Sequence, residues 1–347
     1  MIGKDDINFI HSLPLLGSAK GSNTKVQGPT YYVGSTKAEA QQSCKTAKCM
    51  FLPKSMGGTG GMYRTASGEF VDKKDTVVVQ PLTLSQAEVR ETKSGEAVEL
   101  IPPCFAQQGS PAFSQVSMTK RAERDGHNGM FSMLMGAKRS TKYIRGAING
   151  NLSSAEGITE AKVERLDQVI RSTGLGHILF DHAWRDNPWI LKYATASLND
   201  ISDLPEAMGF GARVMSLVVN SNEDRKVKAK QVREQGAAAV YCPAEASAHS
   251  FRPLSCQDCG KCDVATRTQK KPLVVMFVNH GATSDKRQRD AVKRSTRRWL
   301  DLISLDALEA SEILDRLKGV ARDAAPKGAM SLTKLIHYWS DNVNMDV

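Results

Sequence analysis

Ala212-Arg213-Val214-Met215-Ser216-Leu217-Val218-Val219 reads as a strand, the polar run 224–235 as a helix, and Ala238-Ala239-Val240-Tyr241 as a second short strand. A short apolar, β-branched run bounded by turn residues is the mark of a strand buried on both faces. Strand, helix and strand within about thirty residues form a βαβ unit, whose strands pair in parallel.

The rhythm extends both ways. Upstream, 143–148, 177–181 and 193–197 read as strands, and 159–172 as an amphipathic helix with Val163, Leu166, Val169 and Ile170 on one face. A Trp-rich turn or helix follows residue 181, and 200–208 reads as a short helix. Downstream, 273–279 closes the series, and Tyr31-Tyr32-Val33 is an early strand candidate. The fold class is therefore α/β. Six or seven such strands suit a complete or partial (β/α) barrel, with a doubly wound open sheet as the alternative.

Around this core the pattern is weaker. Residues 1–28 read as a loosely ordered lead-in. Val77-Val78-Val79 is β-like, 84–98 reads as a helix, and 128–138 as a Met-rich helix. The Gly57-Gly58-Thr59-Gly60-Gly61 stretch is no P-loop, since no Gly-Lys-Ser/Thr follows it. Beyond residue 284 the pattern is purely helical, over 286–303, 305–322 and 330–342, with Pro326 between the last two. The expected organisation is a lead-in over 1–28, a barrel-like α/β domain over 29–283 with a cysteine-rich insertion at 242–262, and a basic helical extension over 284–347.

Four of the seven cysteines lie in that insertion, as Cys242-Pro243 and Cys256-Gln257-Asp258-Cys259-Gly260-Lys261-Cys262. Two-residue spacers turn successive sulfurs toward one point, as a tetrahedral metal or a cuboidal cluster requires. A Cys₄ set leaves no open position, so zinc there would be structural. The C-x₂-C-x₂-C run with a remote Cys-Pro is also the ferredoxin pattern, so both zinc and a [4Fe–4S] cluster stand. Lys261 and Arg252 would offset the thiolate charge. Cys44 and Cys49, four residues between them, are either a partial metal site or ordinary reduced thiols.

The net charge is +10 in 347 residues, which favours a polyanionic partner, nucleic acid first. It concentrates at Lys286, Arg287, Arg289, Lys293, Arg294, Arg297 and Arg298. This run is either a solvated helix face or a phosphate-contacting one. No apolar run approaches the ~18 residues of a membrane span, so no membrane partner is expected. The N-terminus carries Asp5 and Asp6 and no signal-peptide apolar region, so a cytoplasmic location with reduced cysteines is expected.

Several pieces occur in a telling order: 44–49 with its two cysteines, Gly61-Met62-Tyr63, Phe180-Asp181-His182-Ala183-Trp184-Arg185, 193–197, Cys242-Pro243-Ala244-Glu245, and Val278-Asn279-His280-Gly281. Together with Cys256, Cys259 and Cys262 they resemble a family of uncharacterised proteins from phages and plasmids, over roughly residues 24–283. That family's arrangement is similar to radical S-adenosylmethionine enzymes, in which three cysteines on a loop after the first barrel strand hold a cluster. Here Cys44 and Cys49 match two of them, and Met62 stands where the third is expected. Cys104 is a candidate replacement. The resemblance implies that Cys242, Cys256, Cys259 and Cys262 could imitate an auxiliary cluster.

His182, with Asp181 and Arg185, falls at a strand's C-terminal end, where barrel enzymes gather catalytic groups, and the trio could bind an anion or shuttle a proton. His280 invites the same reading. The alternative for both histidines is a hydrogen-bonded structural role. Two functions follow. One is a nucleic-acid-binding protein of a mobile element with a Cys₄ metal site. The other is a radical-type or redox iron–sulfur enzyme that binds S-adenosylmethionine.

Overall fold

The computed structural model describes residues 2–18, 28–44, 62–67, 69–81, 83, 89–101, 109–137, 139–219, 222–246, 254–268, 271–278, 295–296, 299, 309–319 and 330–343. The chain divides into two compact units, Met1–Met56 with Pro103–His280, and Gly57–Pro102 with Gly281–Val347.

Along the chain, α1 (Lys4–Ser12), β1 (Leu15–Ser18), β2 (Thr30–Val33) and α2 (Lys37–Ser43) open the first unit. The second unit begins with β3 (Met62–Thr65), β4 (Phe70–Asp72), β5 (Thr76–Gln80), β6 (Val89–Thr92) and β7 (Ala97–Ile101). The first unit resumes with α3 (Gly109–Asp125), α4 (Met130–Met135), β8 (Tyr143–Gly146), α5 (Glu160–Ser172) and β9 (Gly176–Asp181). It continues through β10 (Thr195–Leu198), α6 (Leu204–Gly209), β11 (Val214–Val219), α7 (Asn222–Glu234) and β12 (Ala238–Tyr241). It ends with α8 (Pro243–Ala246), α9 (Cys256–Cys259) and β13 (Leu273–Val278).

An eight-stranded sheet of order β1-β2-β8-β9-β10-β11-β13-β12 organises the first unit. Neighbours from β2 to β12 pair in parallel, and β1 alone runs antiparallel, on β2. The sheet does not close; β1 and β12 are its edges. Alternate side chains go to opposite faces. Leu179, Ala196, Leu198, Met215, Leu217, Val274 and Met276 join the main core with Val163, Leu166 and Ile170 of α5 and Val232 of α7. Helix α5 forms because that apolar stripe recurs at helical spacing and the Thr159 hydroxyl caps it, accepting from the Lys162 N–H. Each such side chain contributes roughly 1.5–3 kcal/mol on burial. On the other face, Val214, Leu273 and Val275 pack with Val264 and Cys242.

Several expectations need correction. Residues 4–18 are not a loose lead-in but helix and strand, with Ile10, Leu15 and Leu16 buried. Two short elements joined at Pro14 leave no periodicity to read. The segment 84–98 carries strands β6 and β7 where a helix was expected, because Thr92–Gly95 is a tight turn, with the Gly95 N–H donating to Thr92 O at 2.9 Å. The expected continuous domain over 29–283 is interrupted, since 57–102 belongs to the second unit. There, β4-β3-β7-β6-β5 form an antiparallel sheet, Thr83 bridges to Glu309, and the helices Ala310–Lys318 and Leu332–Val343 bury Trp299, Ile313, Leu317, Leu335 and Trp339. Among the described residues, no helix is long and apolar enough to cross a membrane.

Candidate metal centre

Three of the four clustered cysteines sit on one compact turn. Ser255 caps α9, donating its hydroxyl to Asp258 Oδ2 at 2.7 Å and its N–H at 3.1 Å. One helical turn places Cys256 and Cys259 on the same face. Gly260 ends the turn in the left-handed region (φ +60), and a Cβ there would strike the Tyr143 ring, so no other residue serves both needs.

The turn lies against the amino-terminal ends of the parallel strands. Gln257 Oε1 accepts from the Lys142 and Tyr143 N–H groups at 2.8 and 2.9 Å, and its amide donates to Tyr143 O at 2.9 Å. The Thr195 hydroxyl, at the start of β10, donates to Cys262 O at 2.9 Å. Cys242 follows β12, donates its N–H to Met276 O at 2.9 Å, and is buried in the apolar cluster against which Cys262 packs.

Burial pushes the Cys262 thiol well above its ordinary pKa, and Cys256, Cys242 and Cys259 push it the same way; the Arg145 guanidinium opposes them. Burial likewise raises Cys256, again opposed by Arg145 and reinforced by Cys259. Mutual repulsion of thiolates in an apolar site is the situation a bound cation reverses. None of the four is in a disulfide. The sulfurs do not close on one point as zinc or a cluster requires: among the described residues, these four cysteines included, no three His, Cys, Asp or Glu side chains form a group that could hold a metal ion.

Sequence reasoning missed Arg145, which stands over the Phe180 ring at 5.7 Å. Of the two cations expected to balance the thiolates, Lys261 is exposed and Arg252 lies outside the described residues. It also missed a polar network behind the turn. Asp263 is fully buried and accepts from Arg171 Nη1 and Nη2 at 3.1 and 2.8 Å and from the His177 N–H at 3.2 Å. Arg171 Nε donates to Asp167 at 2.7 Å, and Asp167 faces His177 Nδ1 at 2.9 Å. Burial works against the charge on Arg171, but the two carboxylates outweigh it and raise its pKa. The one sequence signal was the i,i+4 pair Asp167/Arg171; nothing local announces Asp263 as their partner.

The remaining candidates lie elsewhere. At the carboxyl ends of the strands, the Gly150 N–H donates to Cys44 Sγ at 3.0 Å, and Asn151 joins Ser43 O to the His182 N–H at 3.1 and 3.0 Å. Asp181 is fully buried and accepts from the Ser153 N–H and hydroxyl and the Ala183 N–H, at 3.0, 2.8 and 2.8 Å. Ala147, just before this loop, holds a left-handed φ of +49, a local strain of the kind concentrated at functional sites. The expected anion trio is not formed as such: Arg185 pairs with Asp203 and Glu206 at 2.5 and 2.7 Å and stacks on Trp184. Cys49, Cys104, His280, Lys286, Arg287, Arg289, Lys293, Arg294, Arg297 and Arg298 lie outside the described residues.

The sequence matches no protein-family model, no curated protein and no solved structure.

Proposed function

We propose that this chain is a nucleic-acid-binding protein of a mobile element, built on a partial (β/α) barrel and braced by a Cys₄ centre of zinc or [4Fe–4S]. The observation that carries the structural role of that centre is its location. Cys256, Cys259 and Cys262 lie on a turn fixed to the amino-terminal ends of β8 and β10, away from the carboxyl ends where sites in parallel α/β sheets open, and Cys242 alone of the four follows a strand's carboxyl end, that of β12. When bound, the metal supplies cross-linking energy to the fold. Cys242, Cys256, Cys259 and Cys262 would hold it, and Arg145 would offset the thiolate charge. The net charge of +10 and the basic run 286–298 support a polyanionic partner.

The test pairs metal analysis with binding. Anaerobically purified protein is assayed for zinc, iron and absorption near ~400 nm, then titrated with duplex DNA at rising salt. Metal lost in Cys256→Ala, together with affinity that falls steeply with salt, is the expected result. No affinity at low salt sinks the nucleic-acid reading.

A second reading, a radical-type or redox enzyme, draws on one observation: Cys44 follows the first parallel strand and stands at the carboxyl edge beside Gly150, Asn151 and His182. It requires an exchangeable iron near Cys44 and Cys49 and binding of S-adenosylmethionine. A single cluster left unchanged by Cys44→Ala removes its support.

A further inference from the structure

We infer that the sheet face opposite α5 and α7 carries a binding site for a small aryl oxyanion, an aromatic phosphate or carboxylate, with Arg145 as its charge contact. Strand alternation defines that face. Tyr31, Ile144, Leu179, Ala196 and Met215 point into the helix-covered core. Their neighbours Thr30, Tyr32, Arg145, Phe180, Ser197 and Ser216 therefore share the other side. This side is concave. Strands β9 and β13 have β10 and β11 between them, a span of about 14 Å in a flat sheet. The Phe180 and Phe277 rings nevertheless meet edge to face with centroids 6.2 Å apart, which the curl of the sheet toward this side brings about. The strands between them present the buried register pair Ser197 and Ser216 to the same face.

Arg145 supplies the charge. Its register partner on β9 is Ile178, yet its guanidinium lies over the Phe180 ring at 5.7 Å, two residues further along the strand. The side chain thus leans toward the carboxyl ends, the direction in which sites in parallel sheets open. Among the described residues no carboxylate pairs with it. Its register partner on β2 is Thr30, and Thr30 Oγ1 is buried without a hydrogen-bond partner, as is the Tyr32 hydroxyl on the same face of that strand. Buried hydroxyls are ordinarily paired. An unpaired hydroxyl beside a guanidinium fork offers donors that one phosphate or carboxylate satisfies together. The Phe180 and Phe277 rings, both only half-buried, lie alongside and suit a planar apolar remainder of the ligand. No thiol takes part, so the inference stands apart from the Cys₄ reading.

The full chain is titrated by calorimetry with phenyl phosphate, benzoate and inorganic phosphate. The wild type is expected to bind an aryl ligand, the tighter of the two naming the oxyanion, and to bind inorganic phosphate at least about tenfold more weakly for want of a ring to bury. Arg145→Gln should weaken aryl binding at least about tenfold, through loss of a charged donor. Thr30→Val should weaken it about twofold to tenfold without lowering the melting temperature of the unliganded chain, because the hydroxyl serves no partner within the protein. Arg165→Gln, in an exposed pair with Asp6 on the helix side, should bind as the wild type does. The basic run 286–298 is intact in every variant, so a loss in Arg145→Gln assigns binding to the sheet and not to surface charge. Should Arg145→Gln fail to fold, Thr30→Val carries the comparison. Three results overturn the inference: no aryl ligand bound by the wild type, affinity unchanged in both site variants, or inorganic phosphate bound as tightly as the aryl ligands.

Discussion

The Tyr31 hydroxyl stands 2.9 Å from His177 Nε2, a bond from β2 to β9 that crosses the intervening strand β8 over Gly146. Any Cβ at Gly146 would collide with the Tyr31 ring. His177 Nδ1 faces the Asp167 carboxylate, which only accepts, so in the neutral ring Nδ1 carries the proton and Tyr31 donates to Nε2. Burial raises the Tyr31 pKa, which keeps the phenol protonated. Tyr31→Phe leaves a buried acceptor unpaired and is expected to cost about 1–3 kcal/mol. Urea unfolding should show a lower midpoint at unchanged slope; an unchanged midpoint would mean the bond contributes nothing net.

Asp167 gives a pH signature. Burial alone would raise its pKa, but hydrogen bonds from His177 and Arg171 hold it below the ordinary 3.8. A lowered carboxyl pKa contributes stability that is present at neutral pH and lost as pH falls through 3.8 toward the folded-state value. Asp167→Asn should therefore be less stable at neutral pH and show a shallower loss in acid. Parallel acid limbs for the two proteins would refute this.

Asp181 runs the other way. Burial raises its pKa above 3.8 despite three hydrogen bonds, so its desolvation cost is present at neutral pH and lifts as pH falls through the folded value. Asp181→Ala removes that cost but strands buried donors on Ser153 and Ala183. The second effect should dominate, destabilising by about 1–3 kcal/mol in calorimetry.

Gly260→Ala tests the cysteine turn directly. The substitution meets both a left-handed φ and the Tyr143 ring. It should lower melting temperature and metal content together. Adding Tyr143→Ala relieves only the collision, so the double variant should recover part of the loss, a non-additivity read as a coupling energy. Strict additivity would argue that the ring is not the obstacle.

The basic run makes a prediction about slopes. Replacing Arg294, Arg297 and Arg298 with Ala should weaken binding to all duplex sequences alike. It should also flatten the plot of log affinity against log salt by about 2–3 units, at roughly 0.9 for each phosphate no longer neutralised. A change in sequence preference with an unaltered slope would point to base readout instead.

The parallel strands were legible because their chemistry is local. The apolar run at 214–219, the stripe Val163/Leu166/Val169/Ile170 and the short strand at 238–241 each declare themselves within a few residues. Strand order was not, because β13 enters between β11 and β12 through pairing that no short window contains. The same holds at the site. Cysteine spacing made 242–262 a candidate ligand set, yet Arg145 acts on Cys262 and Arg171 on its neighbour Asp263 from over ninety residues away in sequence, through burial and pairing created only by folding. Residues 84–98 misled because the turn at Thr92–Gly95 splits what read as one helix.

The division of the second unit has a consequence for synthesis. Residues 57–102 leave the ribosome early, but the rest of their unit, 281–347, follows only after the whole intervening stretch of the first unit. At about 5–20 residues per second, the β3–β7 hairpins wait on the order of ten seconds or longer for the helices that complete their unit. During that interval residues 57–102 are without Glu309, the bridge partner of Thr83, and without the core of Trp299, Leu317 and Trp339 that belongs to the same unit. Pulse-labelled proteolysis of stalled chains would detect it, as protection of 57–102 that arrives only with the final segment.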